Sequence, residues 1–406
     1  MRILLSDAAG LTSRQCARLL GAHGHEVGVL ATGRVSLARG TRHVRTAHLV
    51  PRFGRDPLAW SDAVLQLLAE HRYDVLVPTQ EQVTVLSLRA AEFAERGVAM
   101  AVPSFAAVGR VQDKLAAHVT LVELDIPHPP ATVAGSAEQL RACRTPVYVK
   151  APIGTASTGV HLAADPEALN RLAARFAELD PAGLGGVLAQ EPVDGPLVMV
   201  QSVFDNGRLV AAHVNSRDGV GPGNGATHKT SEPVADLVPL LERLGRGLTW
   251  HGALSLDVIR SADGPVVIDI NPRLVEPGNA AAAGVDLLDA YLAVARGEQP
   301  VRCAPGQPGV RTHQLMLALL ATPDRRALLR ELSAVLRKRR PYRDSTEELT
   351  PVHGDARAAL FLTLAAAALL VRPRLREWLV GGAVAGYALD APGWRSLLDA
   401  GSVRHG

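Results

Sequence analysis

The chain has 406 residues, 47% of them hydrophobic and 20% charged, with a formal net charge of +3. That length accommodates two or three domains with a sizeable core, and so small a charge gives no argument for a nucleic-acid partner. Three widely separated cysteines (Cys16, Cys143, Cys303) show neither disulfide nor metal-ligand spacing, so buried thiols in a reducing compartment are expected.

The opening stretch MRILLSDAAG has too short an apolar run for a signal peptide and reads as a first strand, and a cytoplasmic location is the default expectation. Up to about residue 110, short apolar runs alternate with helical patterns. ILLS and EVGVL flank a helix starting near Thr12, DVLVP precedes a helix through Glu81 to Arg96, and VAMAV follows. This βαβ pattern predicts an open parallel sheet. Its first turn, SDAAGLTS, lacks GxGxxG, which disfavours dinucleotide binding. Thr79, Gln80 and Glu81 follow a strand's carboxyl end, where open α/β sheets place ligands; an N-cap for the next helix explains them equally simply.

From 111 to 300 the order becomes α+β. A helix over Val111 to Leu124 ends before IPHPP, and the strand-like runs PVYVKAP and GVHLA precede the helical pattern DPEALNRLAARFAEL and the run GVLAQEPV. LVMVQSVF and RLVAAHVN are joined by Asp205-Asn206-Gly207, a hairpin signal. The Gly-rich stretch 216–231 predicts a mobile or binding loop. Beyond 300 the chain reads as mostly helical. Arg325 to Arg340 is amphipathic, and the apolar segments 358–371 and 378–389 are too short to span a bilayer. Buried helices or a homodimer contact is one reading of 325–389; peripheral membrane contact beside the arginines is the other.

Only four of the 43 basic residues are lysines: Lys114, Lys150, Lys229 and Lys338. Three of them lie near Gly-rich stretches, where a compact charge on a flexible stem suits a phosphate. VYVKAPIGTASTGV delivers Lys150 from a strand into a donor-rich turn that can wrap phosphate oxygens, although a plain hairpin has the same look. No GK[ST] ends it, so it is not a Walker A loop. In GALSLDVIRSADGPVVIDINPR, a three-residue hairpin loop pairing Ser261 with Pro265 sets Asp257 opposite Asp269 and Ser255 opposite Asn271. Facing carboxylates destabilise a sheet unless a cation separates them. Two carboxylates and an amide oxygen are hard ligands suited to Mg²⁺.

Together with DKLAAH (113–118) and AQEPVDG (189–195), these segments resemble the ATP-grasp superfamily, in particular its carbamoyl-phosphate-synthase-like and carboxylate–amine ligase branches. The resemblance covers roughly residues 1–300. It implies a fold of α/β plus α+β class: a Rossmann-like pre-ATP-grasp domain (1–110), a two-lobed ATP-grasp domain (111–300, its mobile lobe about 125–190) and a helical C-terminal extension (301–406). It further implies ATP with Mg²⁺ (or Mn²⁺) as cofactors, and a carboxylate and an amine as small-molecule substrates. By motif position, Lys114 and Lys150 look like phosphate-contacting lysines, and the segment 154–159 like the loop closing over them, through Gly154, Thr155, Ser157, Thr158 and Gly159. Glu191 and Val193 look like the hinge meeting adenine, and Asp257, Asp269 and Asn271 like the Mg²⁺ ligands. Arg273 resembles the arginine beside the transferred phosphoryl and acyl groups, with Asn271 also near the chemistry, and Lys229 is a further phosphate candidate. Glu276, Asn279, His213, Arg217 and His228 are candidates for the rest of the lining. Two positions depart from the pattern: Asp269 stands where Glu is common, and Leu197 where an acidic residue commonly grips ribose. The implied reaction phosphorylates a carboxylate and couples the acyl phosphate to an amine. Another ATP-grasp reaction (carboxylase or acyl-phosphate-forming phosphotransferase) and a non-catalytic nucleotide-binding or membrane-associated protein are the alternatives.

Overall fold

The computed structural model describes residues 1–155 and 157–405. Three sheets organise them. The first is all parallel, in the order β3-β2-β1-β4, built from β1 (Arg2–Leu5), β2 (Glu26–Ala31), β3 (Val44–Leu49) and β4 (Val75–Val77). The alternation of apolar runs and helices thus gives the open sheet it predicts, but with two differences. VAMAV makes only a single bridge, Val75 to Ala99, and the partly exposed β3 takes the edge instead. The helix expected through Arg96 breaks at Arg89, whose guanidinium turns to Asp62 and Glu92.

The second sheet is antiparallel, in the order β5-β8-β6-β7, from β5 (Ala131–Ala134), β6 (Val147–Lys150), β7 (Val160–Ala163) and β8 (Val187–Gln190). It has its own small core around Leu140, Val149, Leu169 and Val187. The third sheet has seven strands in the order β13-β12-β9-β10-β11-β14-β15. Its members are β9 (Leu197–Asp205), β10 (Arg208–Val220), β11 (Ala226–Glu232), β12 (Gly252–Ser261), β13 (Gly264–Asn271), β14 (Arg311–His313) and β15 (Thr346–Glu347). At the hairpin between β9 and β10, Asn206 (φ +48°) and Gly207 (φ +86°) turn the chain in two residues, the left-handed pair that matches strand twist.

The stretch 216–231, expected as a loop, is mostly strand. β10 runs to Val220 and β11 starts at Ala226, with one short 3₁₀ turn between them. The segment beyond 300 is mostly helical, with irregular stretches around 301–310 and 338–355, and its strands β14 and β15 complete the third sheet. Its helix Ala356–Val371 buries Ala358, Ala366 and Leu369 and leaves Leu360 and Leu364 exposed. No helix among the described residues is long and apolar enough to cross a membrane.

The last residues run back across the molecule. Leu389 N–H donates to Glu81 Oε2 at 2.6 Å, and Trp394 is fully buried against Phe105. From the next residue of the same helix, Arg395 donates to the carbonyl of Ala182 at 2.9 Å. The C-terminal segment therefore ties the first sheet's loops to the region of the second sheet.

Candidate nucleotide and metal site

The site grows from the β12–β13 hairpin. Its turn has two residues rather than three, because Ser261 pairs with Gly264, Arg260 with Pro265 and Val258 with Val267. Continued without interruption, this register would set Asp257 opposite Ile268. A β-bulge at Ile268 inserts one residue and restores the expected pairs, Asp257 with Asp269 and Ser255 with Asn271. The bulge also has a use: the carbonyl of Ile268 accepts a 2.7 Å hydrogen bond from Lys150 Nζ. Lys150, at the end of β6, is thus held beside the two aspartates by a backbone distortion.

The electrostatics follow from this crowding. Asp257 is half-buried, and burial first and the Asp269 charge second push its carboxyl up to about 6. Arg217, Lys150 and Arg273 pull in the opposite direction. Burial lowers Lys150, with Asp269 opposing and Lys114 assisting, so the two lysines and two aspartates occupy one field. No group of three or more His, Cys, Asp or Glu side chains suited to a metal occurs among the described residues. The donor set is a carboxylate pair with the Asn271 amide, which fits a hard cation that keeps waters and phosphate oxygens as its other ligands.

Lys114 begins helix Lys114–Glu123 behind its Asp113 cap, and its ammonium lies 3.4 Å from the carbonyl of Gly154. The loop after β6 is a tight turn in which Thr158 Oγ1 accepts from Thr155 N and donates to Thr155 O. Ser157 (φ +63°) and Gly159 (φ +76°) carry its left-handed turns, and a Cβ at Gly154 would lie 2.0 Å from the Thr158 carbonyl. Ala156, inside this loop, lies outside the described residues. Besides Lys114, two further outside groups hold the loop: Thr155 Oγ1 donates to Glu81 Oε1 at 2.5 Å, and Asn224 Nδ2 to Ser157 Oγ at 2.8 Å. Glu191 is exposed just beyond β8, its N–H donating to the carbonyl of Pro130, and Val193 is half-buried.

Arg273 is buried, its carbonyl accepting from Ser255 Oγ, and its Nε has no hydrogen-bond partner among the described residues. Lys229 requires a correction. Instead of lying in a mobile loop it sits in β11, fully buried, against Glu276 (2.7 Å) and, closer still, Glu348. Burial alone would lower it; the two carboxylates together raise it above its ordinary value. Gln314 Nε2 also donates to Glu276, and Gln15 Nε2 to Glu348 at 3.2 Å. Of the other lining candidates, His213 bonds Asn279 at 2.8 Å, and Arg217 is close enough to Asp257 to hold its carboxyl down. His228 points away from them, into a cluster with His313 and Tyr342. Glu348 gave no signal in sequence, since its partner is 119 residues away.

No protein-family model and no curated protein matches the chain. Solved structures do. The biotin carboxylase domain of the 2-oxoglutarate carboxylase of Hydrogenobacter thermophilus, a dimer with MgADP, ADP and bicarbonate, aligns with a TM-score of 0.60 at 17% identity, over 76% of this chain and 73% of that one. Phosphoribosylamine–glycine ligase of Thermotoga maritima gives 0.59 at 17%, over 77% of this chain and 78% of its own. L-amino acid ligase of Bacillus licheniformis gives 0.57 at 14%, over 74% and 75%. The protein has the ATP-grasp fold.

Proposed function

We propose that the protein is an ATP- and Mg²⁺-dependent carboxylate–amine ligase that forms an amide or peptide-type bond and releases ADP and phosphate. The observation that carries this reading is the convergence of Asp257, Asp269, Asn271 and Lys150 on the bulged hairpin, with Arg273 two residues beyond. The likeness to two ligases supports it. Asp257, Asp269 and Asn271 would hold Mg²⁺, which when bound supplies charge neutralisation for phosphoryl transfer. Lys150 and Lys114 would neutralise phosphate oxygens, and the turn 154–159 would cover them with N–H and hydroxyl donors. Arg273, with an uncommitted Nε, would orient the acid carboxylate. The γ-phosphoryl group passes to a carboxylate oxygen and ADP leaves. The amine nitrogen then bonds the acyl carbon, phosphate leaves, and the nitrogen gives up its proton. Glu191 and Val193 would flank the adenine, and the short C-terminal helices would pack within the protein or against a second copy.

An ADP-release screen over a matrix of acids and amines, with Asp269→Ala as control, tests this. The reading requires release that depends on both an acid and an amine and is lost in Asp269→Ala. Release with an acid alone makes the protein a phosphotransferase, and bicarbonate-dependent release makes it a carboxylase. Tight ATP binding without release under any condition makes it a nucleotide-binding protein.

A further inference from the structure

Glu276 is pinned from several directions. Its backbone lies at φ +52°, a conformation that costs a residue carrying a Cβ and that persists where the surroundings impose it. The surroundings do so here. Its N–H donates to Thr12 Oγ1 at 3.2 Å, and its carbonyl accepts from Gln201 Nε2 at 3.1 Å. Lys229 and Gln314 both donate to Oε2. The other oxygen, Oε1, takes no hydrogen bond from any described residue, although Glu276 is only 6% exposed.

The ion cluster does not need this carboxylate for neutrality, because Glu348 already pairs with Lys229. Lys229, Glu276 and Glu348 by themselves carry one negative charge in excess; Arg18 acts on the Glu348 side, and among the described residues no cation other than Lys229 bonds to Glu276. Nearby polar groups lack the same kind of partner. Gln201 Oε1 and Asn215 Oδ1 are fully buried acceptors with no donor among the described residues. Gln201 pairs across β9–β10 with His213, and Asn215 is two residues along on the same face. Three residues before Glu276, Arg273 Nε is a buried donor without an acceptor among the described residues. Unmet acceptors around an excess negative charge, next to an unmet cationic donor, are complementary to an ammonium group beside a carboxylate.

We propose that Glu276 is the specificity-determining anchor for an ammonium group, and that the acid substrate is therefore an amino acid, with its –NH₃⁺ on Glu276 and its carboxylate toward Arg273. This assignment rests on the ligase reading of the same site. Lys229 and Gln314 are positioning residues that hold one carboxylate oxygen so that the other faces the ligand.

The test is calorimetric titration of the full chain, with Mg²⁺ and a non-hydrolysable ATP analogue present. The titrants are the common L-amino acids, β-alanine and the deaminated acid of each skeleton; ADP release with the same compounds and ATP is read separately. The wild type is expected to bind at least one amino acid about 100-fold more tightly than its deaminated counterpart, the effect of a charge-assisted contact in a buried site. Glu276→Gln should erase that preference and Glu276→Asp recover part of it, both with unchanged affinity for the nucleotide analogue. Binding of no amino acid, equal binding of the deaminated acids, or an undiminished preference in Glu276→Gln overturns the assignment. The wild-type comparison decides even if the variants do not fold. Amino-acid binding through Glu276 without ADP release under any condition would refute the ligase reading alone, whereas amine-dependent turnover of deaminated acids as good as that of amino acids would refute only the Glu276 assignment.

Discussion

Replacing Lys229 with methionine removes the only cation from a buried trio. Methionine matches the lysine stem in volume, so packing is nearly conserved and the charge is the main change. Glu276 and Glu348 are then left facing each other at sites 6% and 1% exposed. Removing one partner of a buried pair costs about 3–5 kcal/mol, since an uncompensated charge remains. For a chain of 406 residues the melting temperature should fall by roughly 5 °C. The loss should also depend on pH in a specific sense. Burial already raises Glu348 above its ordinary value, with Lys229 opposing that rise. Without Lys229 the folded state gains more by taking up a proton than the unfolded state does, so the variant recovers stability as pH falls. In the wild type, Lys229 is raised in the fold, so its contribution is complete below the unfolded lysine value and is lost only as pH climbs through the higher folded one. Thermal denaturation from pH 5 to pH 9 should therefore show the deficit of Lys229→Met growing with pH. Adding Glu348→Leu should return part of the loss, because a buried charge is better removed with its partner than without. A variant melting within 2 °C of wild type at pH 8, or a deficit that grows toward acid, would refute the buried-cluster reasoning.

Two further outcomes concern the hairpin and its loop. Asp257, raised from 3.8 to about 6, takes up a proton on folding across that window, so stability falls as pH rises from about 4 to 6 by up to about 3 kcal/mol. Burial is the larger cause, so Asp269→Asn should return at most about 1.5 kcal/mol to the nucleotide-free protein at pH 7, flatten that slope, and abolish the stabilisation by Mg²⁺ and ATP that the ligase reading expects of wild type; a lower nucleotide-free melting temperature would contradict it. Thr155→Val removes the bond to buried Glu81 and should speed amide hydrogen exchange in residues 152–160 about tenfold, with unchanged exchange as the contrary result.

What the sequence makes legible here is what short-range rules can carry. The facing of Asp257 and Asp269 follows from counting along a hairpin, and it holds although the turn is one residue shorter than expected. The count survives because the Ile268 bulge compensates, and nothing local announces a bulge whose stabilising partner, Lys150, lies 118 residues away. That the first sheet is open and parallel is equally readable, since this depends on alternating periods, although its edge strand β3 is not. Lys229 shows where such reading ends. Its Gly-rich flank suggests a loop, but pairing with β14 on one side and β10 on the other makes it a central strand residue. Its second carboxylate comes from Glu348, beside a two-residue strand that hydrophobic periodicity cannot detect. The same holds for Glu81, whose neighbours in sequence suit a helix cap. Its carboxylate instead joins Thr155 to Leu389, so the turn that would cover a phosphate is braced by the C-terminal segment. Residues beyond 300 therefore act on the site through Glu348 and Leu389, and shortening the chain there would expose Lys229 and release the loop together.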